Sequence, residues 1–209
     1  TQAWLDIGVA TCWTSLTINH MITLKRYSDH IYFLFDNDGA GINATLRGLA
    51  IAYAQNLYPK IVVLTWTHKD IDELVRNNPE AEWQVTQLMD SAKDGFVWAL
   101  NYYMHQYDIA SPVERQKILH GLFDLVYAVE SLSTQNLFLD QMSHMLHMDY
   151  TLTAAQYRQY IKTEKKLFWP RKWSQLEEKA ETQQARIDQK LLILWSLLYD
   201  NFWMSLQID

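Results

Sequence analysis

The segment Phe33-Leu-Phe-Asp-Asn-Asp-Gly-Ala-Gly41 constrains the fold more than any other. An apolar run enters two aspartates one residue apart, and a glycine-rich turn follows before a helical pattern begins. Positions i and i+2 of an extended chain point the same way. Asp36 and Asp38 are therefore expected to aim two carboxylates at one place, at the carboxyl end of a strand. Ligands bind at that end of parallel sheets. Two carboxylates so placed repel each other, and a cation that prefers hard oxygen ligands relieves the repulsion. The same residues also suit a plain turn. Gly39 and Gly41 are expected to let backbone come close to a ligand.

A second acidic pair sharpens that choice. The apolar run Lys60-Ile-Val-Val-Leu-Thr65 is followed by Lys69-Asp-Ile-Asp-Glu-Leu-Val75, with Asp70 and Asp72 past the strand end. Neighbouring parallel strands bring their carboxyl ends together, so four carboxylates can face one cleft. Asp72 also suits the amino end of a short helix, where negative charge meets the helix dipole.

The rest of the chain sorts by periodicity. Val9–Cys12, His30–Phe35 and Lys60–Thr65 read as short strands, continuously apolar and so buried on both faces. Helices are expected at Thr17–Arg26, with Thr17 as N-cap, and at Gly41–Leu57. Strands alternating with helices imply a mostly parallel sheet. After residue 78 the pattern is helical, in Pro79–Ala92, Asp94–Tyr107, Pro112–Glu130, Thr134–His147 and Thr153–Lys165. Pro79 and Pro112 sit where first-turn prolines are tolerated. Ile118, Leu122, Leu125, Val126 and Val129 mark a buried stripe. Phe168–Trp173 breaks the pattern. Ser174 opens a last helix to Leu198, polar at first and rich in Leu, Trp and Phe from residue 187.

Composition bounds the function. The 209 residues carry 18 basic and 24 acidic side chains, a net charge of −6. Residues 1–78 are near balance with six basic and seven acidic groups, whereas residues 79–163 carry five and ten. The acidic helical middle is a poor track for nucleic acid. The single Cys12 excludes an internal disulfide or Cys-rich zinc site and suits a reducing, cytoplasmic location. No apolar run reaches the roughly 18 residues of a membrane span.

Strand–Asp-x-Asp-Gly-x-Gly–helix followed by strand–Lys-Asp-x-Asp-x-Leu-Val resembles the TOPRIM catalytic fold of bacterial-type (DnaG-type) DNA primases. Trp13-Thr-Ser-Leu-Thr17, His20 and Leu24-Lys-Arg26 resemble the loop and helix that precede its Asp-x-Asp. The helices beyond Asn78, including Ser111-Pro-Val-Glu-Arg115, resemble the helical subdomain behind it. The likeness covers roughly residues 5–150. It implies a TOPRIM-like parallel sheet, incomplete at the amino terminus, over residues 1–78. An all-α subdomain over residues 79–165 would follow. Residues 166–209 would be a linker and long helix, the start of a helicase-binding region.

By this resemblance Asp36 and Asp38 are the catalytic pair and metal ligands, and Asp70 and Asp72 complete the acidic cluster. Mg2+ or Mn2+ is the implied cofactor, and zinc is not expected in this stretch. Single-stranded DNA template, nucleoside triphosphates and a replicative helicase are the implied partners. Lys25, Arg26 and Lys69 are candidates for nucleotide or template phosphates, or equally for surface salt bridges. The implied reaction is RNA primer synthesis by nucleotidyl transfer during DNA replication. Another TOPRIM enzyme, a nuclease or topoisomerase-like protein, is an alternative. A non-catalytic helicase-interaction module is another.

The chain departs from the family's pattern in three places. The Glu-Gly of an earlier strand is missing before Asp36, so the sequence reads as a fragment that is inactive alone. Trp13 stands where the family has Gly, and Ile71 where it often has Pro. Other groups are weaker candidates. His144 and His147 read as surface histidines rather than a metal pair, and His68 as a solvated loop residue. Trp98, Tyr102 and Tyr103 read as packing between helices. Trp169, Trp173, Trp195 and Trp203 could form an exposed patch.

Overall fold

A computed structural model describes residue 9 and residues 16–36, 38–63 and 80–165. In chain order these form α1 (Ile18–Lys25), β1 (Tyr32–Phe33), α2 (Gly39–Tyr53), β2 (Lys60–Ile61), α3 (Ala81–Asp90) and β3 (Lys93–Asp94). Then come α4 (Gly95–Gln106), α5 (Pro112–Ala128), α6 (Leu132–Met145) and α7 (Tyr150–Tyr160), closed by a π-helical turn, Ile161–Lys165. The chain divides into two units after Thr163. Asp70, Asp72, Lys69, His68, Trp13, Ile71 and the expected terminal helix with its tryptophans lie outside the described residues.

Local sequence starts most of these helices. The side chains of Thr17, Asp38, Asp94, Ser111, Ser131 and Asp149 each accept a hydrogen bond from a backbone N–H of the first turn of the helix that follows. Such caps satisfy N–H groups that a helix cannot pair internally. Pro112 occupies the first turn of α5, where its missing N–H costs nothing. Two helices end in a left-handed residue, Asn56 (φ 55°) and His147 (φ 52°). The Leu57 N–H reaches the Ala52 carbonyl at 2.9 Å, and the Met148 N–H reaches the Ser143 carbonyl at 2.9 Å. Both are Schellman closures with a non-glycine residue at the turn.

Among the described residues the sheet has three short strands and is more mixed than the apolar runs imply. β1 and β2 pair in parallel, with Tyr32 opposite Lys60 and Phe33 opposite Ile61. β3 joins the other edge of β2 antiparallel, with Asp94 opposite Lys60. This corrects the expectation that strands end with residue 78. The Lys93-Asp94 dipeptide has no apolar pattern to announce it; backbone pairing to β2 makes it a strand. Burial on both faces is corrected as well. Phe33 and Ile61 are buried while Tyr32 and Lys60 are exposed, the Lys60 ammonium standing 6.0 Å from the Tyr32 ring centre. Val9 has no regular structure and is exposed.

Helix α2 covers the buried face of β1. A Cβ added at Gly48 would lie 3.0 Å from Phe33 Cε2 and 3.2 Å from Leu16 Cδ2. Gly95 opens α4 directly beneath the same layer, where a Cβ would come 2.8 Å from the Pro59 carbonyl oxygen. Aromatic rings tie the strand-rich part to the helices behind it. Phe96 of α4 stacks on Phe138 of α6 at 4.2 Å between ring centres. Tyr53, at the end of α2, lies 5.4 Å from Phe138. The expected stripe Ile118, Leu122, Leu125, Val126 and Val129 is buried throughout. Trp98 and Tyr102 stack on each other at 5.9 Å along α4 itself, whereas Tyr103 packs across helices against Gly121 of α5.

Candidate metal centre

The candidate site begins where β1 ends. Phe33 and Phe35 meet edge to face at 5.7 Å, so the chain runs on extended past the ladder. Asp36 follows, exposed. Among the described residues its carboxylate has no hydrogen-bond partner. Asp38 is the N-cap of α2, in extended conformation (φ −111°, ψ 173°). Its Oδ1 accepts the Gly41 N–H at 2.7 Å, and its carbonyl accepts the Ile42 N–H at 2.9 Å. One carboxylate oxygen of Asp38 thus fixes the helix start, and the other has no hydrogen-bond partner among the described residues.

Gly41 positions the pair. A Cβ there would collide with the Asp36 carbonyl oxygen and lie 2.8 Å from the Asp36 carbonyl carbon. Its φ is not positive. The glycine is needed because the strand end itself packs on the first turn of α2, a requirement the linear motif does not show. At Gly39 a Cβ would meet nothing within 4 Å, and that space is open beside the acidic pair.

The donor set suits a hard divalent cation. Two carboxylates, one unpaired and one half-used, leave most of an octahedral shell to water, as Mg2+ prefers. No third His, Cys, Asp or Glu joins them among the described residues. The parallel register carries the chain of β2 forward beside that of β1, toward residues 64–79, where Asp70 and Asp72 fall outside the described residues.

The basic candidates stand elsewhere. The Lys25 ammonium donates to the Gln55 carbonyl at 2.7 Å, just beyond α2. Asp38 caps the other end of that 15-residue helix, about 22 Å away at ~1.5 Å per residue. Arg26 is the exposed C-cap of α1. His144 is exposed, 3.7 Å from the Asp140 carboxylate, and His147 is the left-handed residue ending α6. Neither joins a metal-ligating cluster among the described residues.

Residues 2–75 match the family described as Toprim-like. A DNA primase of Borreliella burgdorferi is 24% identical over 150 residues, covering 72% of this chain and 28% of its own length. A solved structure of the DnaG catalytic core superposes with a TM-score of 0.56 at 22% identity, over 68% of this chain and 46% of that one. A DnaG primase catalytic domain bound to single-stranded DNA gives a TM-score of 0.55 at 22% identity, over 69% of this chain and 45% of the other. The chain thus has a Toprim-like region over residues 2–75 and shares its fold with DnaG catalytic cores over about two thirds of its length, and it spans just over a quarter of the curated primase.

Proposed function

We propose that this chain supplies the metal-binding part of a DNA primase, within a protein that makes short RNA primers on single-stranded DNA. The observation that carries the reading is the acidic pair. Asp36 and Asp38 stand at the carboxyl end of a parallel strand, clamped against a helix start, on a fold shared with DnaG cores.

In this reading Asp36 and Asp38 hold Mg2+ or Mn2+, with Asp70 and Asp72 completing the cluster. A bound divalent ion would lower the pKa of the attacking 3′-hydroxyl and neutralise charge on the nucleoside triphosphate. The aspartates act as fixed anions and take no proton. Asp38, pinned through Gly41, keeps one oxygen in place while Asp36 is free to turn. Lys69, beside the second pair in sequence, contacts the nucleotide phosphates. Lys25 and Arg26, a helix length away, contact template. A replicative helicase docks through the carboxyl-terminal region, and the protein works in the cytoplasm. No helix among the described residues is long and apolar enough to cross a membrane.

Water-proton relaxation with Mn2+ tests the site on this chain, and primer synthesis tests the whole gene product. Asp36→Asn and Asp38→Asn are each expected to weaken Mn2+ binding at least tenfold and to abolish primer synthesis. Unchanged Mn2+ binding in both variants, or strand cleavage by the gene product in place of nucleotide incorporation, overturns the reading.

A further inference from the structure

Two aspartates of the chain precede glycine, Asp38 and Asp94, and one, Asp90, precedes serine. Such steps carry a chemistry of their own. Where the following residue has little or no side chain, its amide nitrogen can reach the aspartate Cγ and close a five-membered ring. All three steps stand at helix ends, and the fold treats them differently. At Asp90 the Ser91 N–H donates to the Gln87 carbonyl at 3.0 Å, so ring closure there must break a helix bond. Asp94 is paired in β3 opposite Lys60, and its Oδ1 accepts the Phe96 and Val97 N–H groups at 2.9 and 3.1 Å. Gly95 is buried. A Cβ there would meet the Leu49 side chain, the Pro59 carbonyl oxygen at 2.8 Å and the Tyr53 hydroxyl at 3.1 Å, so the backbone of this step has no room to turn.

The Asp38–Gly39 step has none of these restraints. Both residues are exposed, and nothing lies within 4 Å of where a Gly39 Cβ would stand. Among the described residues one N–H, that of Gly41, reaches the Asp38 carboxylate. Gly39 is the first residue of α2, so its own N–H has no partner within the helix. A glycine turns freely, and an exposed first turn opens at a small fraction of the free energy of global unfolding. The two Asp-Gly steps are alike in sequence and opposite in surroundings.

We propose that Asp38–Gly39 is a site of spontaneous isoaspartate formation in the folded protein, and that the fold protects Asp94–Gly95 from the same reaction. The Gly39 amide nitrogen bonds to Asp38 Cγ. One carboxylate oxygen leaves as water, taking the amide proton and one proton from solvent. Water then adds to the main-chain carbonyl carbon of Asp38, and the bond from that carbon to the Gly39 nitrogen breaks. The chain now runs through the former side chain, one carbon longer, and the new carboxylate sits directly on Cα. Nothing is oxidised or reduced, and no net water is consumed. Asp38 thereby gives up its hold on the Gly41 N–H and with it the cap of α2. In the function proposed above the same change removes a metal ligand, but the isomerisation does not rest on that reading.

The experiment keeps the 209-residue chain without metal at body temperature and neutral pH for several weeks, both natively and in guanidinium chloride. Electron-transfer mass spectrometry of its peptides then distinguishes isoaspartate from aspartate at each step. In guanidinium the two Asp-Gly steps are expected to convert at rates within about twofold of each other, since neither glycine hinders attack. In the native chain conversion at Asp38 is expected to exceed that at Asp94 or Asp90 by about fivefold or more. Gly39→Ala, which suits a helix better than glycine, should slow conversion at Asp38 about tenfold by placing a methyl beside the attacking nitrogen. The aged parent should melt lower than fresh protein, and the aged Gly39→Ala chain should not. No conversion at Asp38 in the native chain, native conversion at Asp94 equal to or above it, or a Gly39→Ala chain that converts like the parent overturns the proposal. So does the same excess at Asp38 in guanidinium, which would leave the fold no part in the choice.

Discussion

Two glycines in one motif do different work. Gly41 is compelled by the Asp36 backbone lying where a Cβ would go, whereas Gly39 has open space. Gly41→Ala is expected to push the strand end off α2, lowering the melting temperature and weakening Mn2+ binding together. Gly39→Ala should leave the melting temperature unchanged or raise it, because alanine suits a helix better by up to ~1 kcal/mol. Thermal melts beside Mn2+ titration of both variants check this; equal effects at the two positions would refute it. The motif points to both glycines, and only Gly41 is required by packing. Neighbouring backbone is invisible in a linear motif. The distance of Lys25 from the acidic pair is hidden for a similar reason: only packing shows its ammonium at the Gln55 end of α2, a helix length from Asp38.

At the level of elements, punctuation was far more legible than pairing. Thr17 and Pro112 announce helix starts that the fold uses, because the first turn of a helix is set by local interactions. β3 is two polar residues whose pairing depends on a partner some thirty positions earlier, and nothing local encodes it. The turn between α6 and α7 offers a balanced test of local chemistry. His147 holds a left-handed conformation there, and Asp149 caps α7 through the Leu152 N–H at 3.1 Å. His147→Gly should stabilise the protein by about 1 kcal/mol by removing the left-handed penalty. Asp149→Ala should cost about 1 kcal/mol by leaving an N–H unpaired. Urea unfolding of both variants measures the two shifts, and the same sign for both would contradict the assignment.

Across the whole molecule, buried tyrosines set a limit on alkaline stability. Burial, then the nearby Asp94 charge, holds the Tyr53 hydroxyl well above its ordinary value. Burial, then Asp124, pushes Tyr103 up to about 12, and burial raises Tyr157 too. Above pH 10 the unfolded chain loses protons that the folded chain keeps, which favours unfolding. Stability should be level up to about pH 10 and fall as the pH rises toward 12. Urea unfolding at a series of alkaline pH values checks this. Tyr103→Phe should make the fall shallower, and stability independent of pH over that range would refute the linkage.

The contribution of β3 also bears on how the molecule is made. Residues 93–94 border the sheet from which Asp36 emerges, and Phe138 packs against both Phe96 and Tyr53 behind it. At about 5–20 residues per second, a ribosome adds Lys93 roughly 2–7 seconds after Lys60. During that interval β2 is a nascent edge with unpaired backbone, the form of strand most prone to pairing with a stranger. Synthesis speed across α3 therefore sets how long the acidic pair sits on an unfinished sheet.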